Sequence, residues 1–314
     1  MHSRTVFIIG GGGMVGASAA YTIAIQETVS EIVLIDVATE LAAGQAMDIS
    51  HATGYSAGVR VRTGDYSEIK RDDIVVITSG VPRRPDQTRL ELTGINARIM
   101  RDVVGKVMAQ GQPVFIVVVT NPVDILTHVA LVASGLPRSR VFGTGTTLDT
   151  ARLRITLAQH LQVSPAEIQA YILGEHGDSS FAALSGASIG GLPLAKFPGY
   201  KPQMAAGLSH EIRTASQKII ESKKVTYFGI GQVVAKLVAA LTHPDGGIFP
   251  VCMLTKGEYG LRDVVLGLPA LVNASGAQLL DDYPLNAAEI KQLRESAAVL
   301  KDVAETHMAS PQNV

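Results

Sequence analysis

The chain has 314 residues, which is long enough for two domains with extensive apolar cores. Its 27 Lys and Arg residues nearly balance 28 Asp and Glu residues, and the net charge of -1 excludes a global basic field for nucleic acid or an anionic membrane. The single cysteine, Cys252, excludes an intrachain disulfide and lies in an apolar run, where a buried thiol is favoured over a nucleophile.

The first half of the chain alternates short apolar runs with longer stretches of helical period. Apolar runs without polar alternation are typical of parallel strands that are buried on both faces. The predicted strands are Val6–Ile9, Ile32–Ile35, Ile74–Thr78, Val114–Val119 and Val141–Gly143. The predicted helices between them include Val15–Ile25, Glu40–His51 and Thr93–Ala109. This alternation predicts an α/β fold, with a Rossmann-type doubly wound parallel sheet.

The N-terminal segment reaches the first strand at Val6, which leaves no room for a secretory leader. No apolar run reaches the roughly 18 residues that a membrane-spanning helix needs. We therefore expect a cytoplasmic protein that binds neither membrane nor nucleic acid.

The pattern changes after Gly143 and becomes typical of an α+β domain. The predicted elements are a helix at Thr147–Leu161, a strand at Ala170–Leu173, a mostly helical stretch at Met204–Leu241, a hairpin of Val251–Leu254 with Leu261–Val265, and a final helix at Leu285–Met308. The sequence thus predicts one domain at residues 1–143 and a second at residues 144–314.

The glycine-rich segment at residues 10–16 (GGGGMVG) follows the first strand and precedes the first helix. Gly11, Gly13 and Gly16 have the GxGxxG spacing, which allows a tight turn and brings a pyrophosphate close to the backbone at a helix N-terminus. Asp36 ends the second strand, where a carboxylate accepts hydrogen bonds from a ribose and disfavours a 2′-phosphate. The alternatives are a turn without a ligand and an aspartate with a local turn role.

The loop at residues 80–89 (GVPRRPDQTR) follows another predicted strand and carries three arginines. Converging guanidinium groups favour a multiply charged small anion as the ligand, although a solvated basic loop is the alternative. Asn121 lies where the next strand ends, and this edge of a doubly wound sheet is where ligands bind.

Two further segments carry residues suited to proton transfer. Residues 173–179 (LGEHGDS) place His176 near glycines that permit unusual backbone angles, and histidine titrates near neutral pH. Asp149 and Arg152 lie three apart on one helix face, so they could pair with each other or act on the histidine and a substrate. An ordinary loop histidine is the alternative for His176.

In this order, these segments resemble the L-lactate/malate dehydrogenase family over nearly the whole chain. The resemblance implies that His176 is the proton donor and acceptor, and that Asp149 orients it. It also implies that Arg152 binds the substrate carboxylate and that Arg89 polarises the carbonyl group. Thr226 lies where the family places a small residue beside the substrate, with ordinary helix packing as the alternative.

The resemblance implies NAD as the cofactor, a Rossmann NAD-binding first domain, a substrate-binding and catalytic second domain, and a homodimer or homotetramer. No metal is expected. The implied cofactor-binding residues are Gly11, Gly13, Met14, Val15, Gly16, Asp36, Asn96, Val119 and Asn121. The implied substrate-binding residues are Arg83, Arg89, Asn121, Arg152 and Thr226.

The choice of substrate within this family rests on Arg83, six residues before Arg89. Malate-type members resemble one another in having arginine there, whereas lactate-type members have glutamine. An arginine would neutralise the second carboxylate of oxaloacetate, but would be costly to bury beside the methyl group of pyruvate. The sequence therefore predicts an NAD-dependent malate dehydrogenase of the tricarboxylic acid cycle, acting on malate and oxaloacetate. The alternatives are an L-lactate or other 2-hydroxyacid dehydrogenase and, less favoured, a non-catalytic NAD-binding protein.

Overall fold

The computed structural model describes residues 4–55, 58–81 and 89–308. Its strands are β1 (Val6–Ile9), β2 (Glu31–Ile35), β3 (Arg60–Thr63), β4 (Ile74–Ile77), β5 (Phe115–Val118), β6 (Val141–Gly143), β7 (Ile168–Leu173), β8 (Phe181–Ile189), β9 (Leu192–Pro193), β10 (Gly247–Lys256), β11 (Arg262–Asn273) and β12 (Gly276–Leu279). Its helices are α1 (Met14–Gln26), α2 (Thr39–Ala52), α3 (Arg89–Met108), α4 (Val123–Ser134), α5 (Thr147–Leu161), α6 (Met204–Lys223), α7 (Phe228–Thr242) and α8 (Ala287–Met308).

These elements divide between two compact units. The first unit runs to Thr144 and also takes in Tyr227–Ile248 and Leu271–Gln278. The second unit consists of Gly145–Thr226, Phe249–Ala270 and the chain from Leu279 onward. The assignment of residues 1–143 to cofactor binding and of residues 144–314 to substrate binding and catalysis stays a prediction.

The first unit is built on parallel strands in the order β6-β5-β4-β1-β2-β3. Strand β1 pairs with both β2 and β4, and Ile8 lies opposite Leu34 on one side and Val76 on the other. The strand order reverses at β1 and β4, so their carboxyl ends flank the crevice where doubly wound sheets bind ligands. This arrangement confirms the predicted α/β fold with a doubly wound parallel sheet.

Two elements of the first unit are not indicated by the sequence pattern. Strand β3 has the sequence RVRT and lies at the edge of the sheet, where only one of its residues is buried. Its two arginines interrupt the apolar run that marks the inner strands. Helix α4 begins directly after the turn at Asn121 and is mostly buried, so it lacks the polar stripe that makes an amphipathic helix easy to recognise.

The second unit combines helices with antiparallel strands, as the predicted α+β pattern requires. Strands β7, β8 and β9 form a three-stranded antiparallel sheet in that order, with Ile168 opposite Ile189. Helices α5 and α6 contribute to the same apolar core as this sheet, through residues that include Leu153, Ile172 and Leu208. The core therefore joins α5, α6 and the strands β7 and β8 through their apolar side chains.

The predicted helical stretch Met204–Leu241 is divided into α6 and α7. The division occurs at Lys224, which has a left-handed φ of 71°, and not at a glycine. Helix α7 belongs to the first unit, although α6 belongs to the second. Strand β8 was not predicted, because its sequence FAALSGASI is rich in small residues that carry little strand preference.

Among the described residues, no single helix is long and apolar enough to cross a membrane. One bent pair, Gln217–Lys223 with Phe228–Thr242, meets the length and composition criteria jointly at an angle of 118°.

Candidate active site

The glycine-rich turn at residues 10–16 joins β1 to α1 and requires its glycines for space. A Cβ atom on Gly16 would lie 2.4 Å from the carbonyl oxygen of Gly10, and one on Gly11 would lie 2.8 Å from Cβ of Leu34. Gly13 is the N-cap of α1 and provides no capping side chain for the first turn, which Met14 and Val15 begin. Backbone N–H groups at such a terminus bind phosphate oxygens, so the turn fits the pyrophosphate of a dinucleotide.

Asp36 lies beside this turn, one residue after β2. Its Oδ2 accepts a hydrogen bond of 2.9 Å from the Gly12 N–H group, and its Oδ1 accepts one of 2.9 Å from the Ala38 N–H group. The second bond is the local turn role that the sequence left open. A carboxylate has about four acceptor positions, so these two bonds are compatible with further bonds to ribose hydroxyls.

Asn96 on α3 is almost completely buried and connects two segments of the first unit. Its Oδ1 accepts a hydrogen bond from the Val81 N–H group, and its Nδ2 donates to the carbonyl oxygens of Val81 and Asn121. The Oδ1 atom of Asn121 accepts from the Val123 N–H group at 3.3 Å, and the Val119 N–H group donates to the carbonyl oxygen of Ile77. Both amide protons of Asn96 are therefore bound to backbone oxygens, and its contact with a cofactor stays a prediction.

A single carboxylate in the second unit binds the predicted histidine and the predicted arginine. Asp149 in the first turn of α5 places Oδ2 2.6 Å from Nδ1 of His176 and accepts a 2.8 Å bond from Nη1 of Arg152 through Oδ1. The Asp149 and Arg152 side chains are 12% and 15% exposed, whereas that of His176 is 27% exposed. The ring of His176 is thus the most accessible group of the three.

The ionisation of Asp149 fixes the proton arrangement of this cluster. Burial raises the pKa of Asp149, but the hydrogen bond and charge of His176, together with the charge and hydrogen bond of Arg152, outweigh burial and lower that pKa below its usual value. An ionised carboxylate only accepts hydrogen bonds, so Nδ1 of His176 must carry the proton that faces Asp149. Nε2 is then the ring atom able to exchange a proton with a substrate.

The loop that carries His176 is fixed at both its beginning and its interior. Gly174, with a φ of 93°, forms two backbone hydrogen bonds with Gly267 of β11. The next residue, Glu175, donates its N–H group to Oγ of Ser296 on α8 at 2.8 Å. The carboxylate of Glu175 in turn accepts a hydrogen bond from the hydroxyl group of Ser179.

Three of the predicted substrate-binding residues are not brought into this cluster by the described structure. Arg83 lies outside the described residues. Arg89 is the first residue of α3, and its side chain also lies outside what is described. Thr226 lies in the connection between α6 and α7 and is partly buried, so it is not part of either helix. The roles of these three residues stay predictions.

The sequence pattern did not identify Ser296, which lies 121 residues from Glu175. The available signal was a polar residue on the apolar stripe of an amphipathic helix: Leu293, Ala297 and Leu300 are buried beside it on α8. Such a residue needs a hydrogen-bond partner, but the sequence does not indicate which one. No group of three or more His, Cys, Asp or Glu side chains suited to a metal occurs in the described part of the chain.

Two family models match the chain in succession. The lactate/malate dehydrogenase NAD binding domain matches residues 4–143, and the lactate/malate dehydrogenase alpha/beta C-terminal domain matches residues 146–310. Together they cover nearly the whole sequence, as the motifs indicated.

Individual relatives cover the chain equally well. L-lactate dehydrogenase 2 of Lactococcus lactis subsp. lactis (strain IL1403) is 42% identical over 97% of this chain and 98% of its own length. The minor L-lactate dehydrogenase of Enterococcus mundtii, in its ligands-bound form, has a TM-score of 0.94 at 39% identity, covering 98% of this chain and 99% of that one. The malate dehydrogenase of Archaeoglobus fulgidus in complex with NADH has a TM-score of 0.87 at 35% identity, covering 97% and 100%.

The relatives named for lactate contradict the predicted malate dehydrogenase activity. The relative with 42% identity and the solved structure with the TM-score of 0.94 are both named for lactate, and the predicted dicarboxylate substrate and place in the tricarboxylic acid cycle have no support from them. The prediction depended on Arg83 facing a second carboxylate. The identity of one residue does not determine where its side chain points, so that single position could not establish the substrate.

Proposed function

Since the chain belongs to the lactate/malate dehydrogenase family, whose substrates are small hydroxy and keto acids, we propose that it is an NAD-dependent L-lactate dehydrogenase. It would interconvert L-lactate and pyruvate. The observation that carries this proposal is the Asp149 carboxylate, which contacts Nδ1 of His176 at 2.6 Å through one oxygen and Arg152 through the other. The choice of lactate is supported by the names of the relatives.

The cofactor is NAD, and the first unit fits it through the glycine turn and Asp36. When bound, NAD supplies the acceptor for the hydride that leaves C2 of lactate. The carboxylate of Asp36 would repel the 2′-phosphate of NADP while accepting the ribose hydroxyls of NAD. The proposed contacts of Met14, Val15, Asn96, Val119 and Asn121 complete the cofactor site.

His176 is proposed to remove the hydroxyl proton of lactate. In the oxidative direction, Nε2 accepts this proton while the hydride leaves C2, and the C2–O bond becomes the carbonyl of pyruvate. The ring then carries a positive charge, which Asp149 stabilises across the 2.6 Å contact. In the reductive direction His176 must begin protonated, and it returns the proton to the carbonyl oxygen.

Arg152 is proposed to bind the carboxylate of the substrate. The planar fork of its guanidinium group matches a carboxylate, and its bond to Asp149 places it in the same cluster as His176. Arg89 would stabilise charge on the reacting oxygen, with Asn121 and Thr226 beside the substrate. Because lactate has one carboxylate, the second-carboxylate role expected of Arg83 has no counterpart in this substrate.

The proposal is tested by steady-state rates of NADH oxidation with pyruvate and with oxaloacetate. We expect kcat/KM for pyruvate to exceed that for oxaloacetate by about tenfold or more, which corresponds to about 1.4 kcal/mol in transition-state binding. NADPH in place of NADH is the control for the cofactor site and should give much lower rates. A higher kcat/KM for oxaloacetate than for pyruvate would refute the assignment to lactate.

A further inference from the structure

Ser296 lies at a buried position of α8 where an apolar residue would be expected. It is completely buried, and its neighbours on the same helix stripe are Leu293, Ala297 and Leu300. A serine in a helix interior contributes less to helix stability than alanine and must satisfy its hydroxyl group when buried. Its presence therefore needs a specific partner.

The partners of Ser296 are two residues of the loop that carries His176. The Glu175 N–H group donates to Oγ of Ser296 at 2.8 Å, and Oγ of Ser179 lies 2.9 Å from the same atom. Oγ of Ser179 also donates to Oε2 of Glu175. The three residues thus form a closed ring of hydrogen bonds. Glu175 precedes His176 in the loop, Ser179 follows it, and Ser296 lies on α8.

The direction of each bond in this ring follows from the donors available. The hydroxyl group of Ser179 has one proton and uses it to donate a hydrogen bond to the Glu175 carboxylate, which only accepts hydrogen bonds when ionised. Oγ of Ser179 can then only accept in its contact with Ser296, so the Ser296 hydroxyl donates to it. Each hydroxyl donates once and accepts once, and bonds arranged in this way reinforce one another in a buried site.

The packing around Ser296 leaves little room for the loop to move toward α8. A Cβ atom added to Gly174 would lie 2.6 Å from Oγ of Ser296 and 3.1 Å from its Cβ. Gly174 is also held by its two backbone bonds to Gly267. The segment on the N-terminal side of His176 is therefore fixed by a strand on one side and by Ser296 on the other.

We propose that Ser296 is a positioning residue for the reaction, which holds the 174–179 loop so that Nδ1 of His176 meets Oδ2 of Asp149. The role rests on the proposed function, because it matters only if His176 transfers the proton. Ser296 acts through the Glu175 N–H group and the Ser179 hydroxyl, and makes no contact of its own with the reacting atoms. Displacement of a catalytic group by about 1 Å can lower a rate by up to about 100-fold, so a loosened loop would be felt in turnover.

The test is the substitution Ser296→Ala in the full-length protein, which removes one oxygen and fits the buried position. We expect kcat for pyruvate reduction to fall by about tenfold or more. The KM for pyruvate should change by less than about threefold, because the proposed bond between Arg152 and the pyruvate carboxylate does not depend on the hydrogen bonds of Ser296. Amide hydrogen exchange at Glu175 should become faster, since its N–H group loses its acceptor.

A second readout follows His176 directly and needs no substrate. The contact with the Asp149 carboxylate favours the protonated imidazole, so a loosened loop should move the NMR titration midpoint of His176 to lower pH. The His176→Asn spectrum identifies the resonance. This readout separates the two proposals: if the parent protein does not reduce pyruvate, the proposed function fails, while the midpoint and the exchange at Glu175 still decide whether Ser296 positions the histidine.

The matched control is Thr255→Val, which removes another completely buried hydroxyl from the second unit. Oγ1 of Thr255 donates to the carbonyl oxygen of Val264 and accepts from its N–H group, which links β10 to β11. It should lower stability without changing kcat or the His176 midpoint. If Ser296→Ala fails to fold, Ser179→Ala opens the same ring without altering α8 and should change kcat, exchange and midpoint in the same directions. Unchanged exchange at Glu175, or faster exchange with an unchanged midpoint and kcat, would overturn the proposal.

Discussion

Asp149 illustrates what residue identity predicts and what only the structure provides. The sequence offered two uses for this carboxylate, an ion pair with Arg152 or orientation of His176, and treated them as alternatives. Both occur, because each oxygen serves one partner. The three residue types and their helix spacing were recognisable, but the use of one carboxylate by two cations depends on side-chain positions that a sequence does not specify.

The lowered pKa of Asp149 predicts a pH-dependent stability. A carboxyl group whose pKa is lower in the folded than in the unfolded state stabilises the fold fully above its unfolded value, and this contribution is lost as the pH falls through the folded value. We expect Asp149→Asn to be less stable than the parent near neutral pH. The difference between the two should shrink from about pH 5 to about pH 3, below the ordinary aspartate value of about 3.9.

Urea unfolding at a series of pH values measures this difference. Asp102→Asn is the control, because Asp102 is 62% exposed in a surface pair with Lys106 and such pairs contribute little. The free energy of unfolding of Asp102→Asn should differ little from that of the parent at every pH in the series. If the effect of Asp149→Asn were the same at both ends of the range, the carboxylate would not be ionised and bound as the geometry indicates.

At the scale of elements, strands buried on both faces were predicted well and edge or small-residue strands were not. β1, β4 and β5 are continuous apolar runs, so their sequences report their burial directly. β3 and β8 owe their strand conformation to pairing with neighbouring strands, which their own residue composition does not indicate. The same reasoning explains Lys224, since a left-handed break between two helices depends on where each helix must pack.

The glycine turn between β1 and α1 gives a prediction at this scale. Gly16→Ala would place a Cβ atom 2.4 Å from the Gly10 carbonyl oxygen, and the backbone would have to shift. We expect this variant to lose about 1–3 kcal/mol of stability, as is typical of overpacking, and to bind NADH more weakly. Thermal unfolding and fluorescence titration with NADH measure the two effects.

Gly44→Ala in α2 provides the opposite control. A Cβ atom at Gly44 meets nothing within 4 Å, and the residue is exposed in a helix. Alanine is favoured over glycine in a helix by about 1 kcal/mol, so this variant should gain stability and keep its affinity for NADH. Normal NADH binding by Gly16→Ala would show that the turn tolerates a side chain at this position. The close approach of Gly16 to the Gly10 carbonyl oxygen would then not be needed for binding.

At the scale of the whole molecule, the substrate shows the limit of reasoning from one position. The motifs identified the family and the cofactor, and the two family models bear out both. The substrate differs between members, and Arg83 alone suggested a second carboxylate. Similarity to a lactate dehydrogenase over 97% of the chain depends on many positions instead of one, and it overturned that prediction.

Assembly of the protein remains a proposal at the same scale, for which the first unit offers a candidate surface. Helices α1 and α2 pack against each other, and both expose large apolar side chains: Tyr21, Ile25, Leu41 and Met47. Exposed large apolar side chains on two adjoining helices suit a protein–protein interface. A symmetric dimer would bury the same surface of both subunits, so one substitution in it acts twice.

We therefore expect the parent protein to have two or four times the 33.1 kDa chain mass in light scattering, and Met47→Lys to shift it toward a single chain. Val132→Lys is the matched control, because Val132 on α4 is 63% exposed, as Met47 is. It introduces the same charge on another helix and should leave the mass unchanged. A parent of one chain mass would refute the assembly itself. Equal masses for the parent and Met47→Lys would instead place the interface elsewhere, because a lysine charge buried twice across a symmetric apolar contact is too costly to retain.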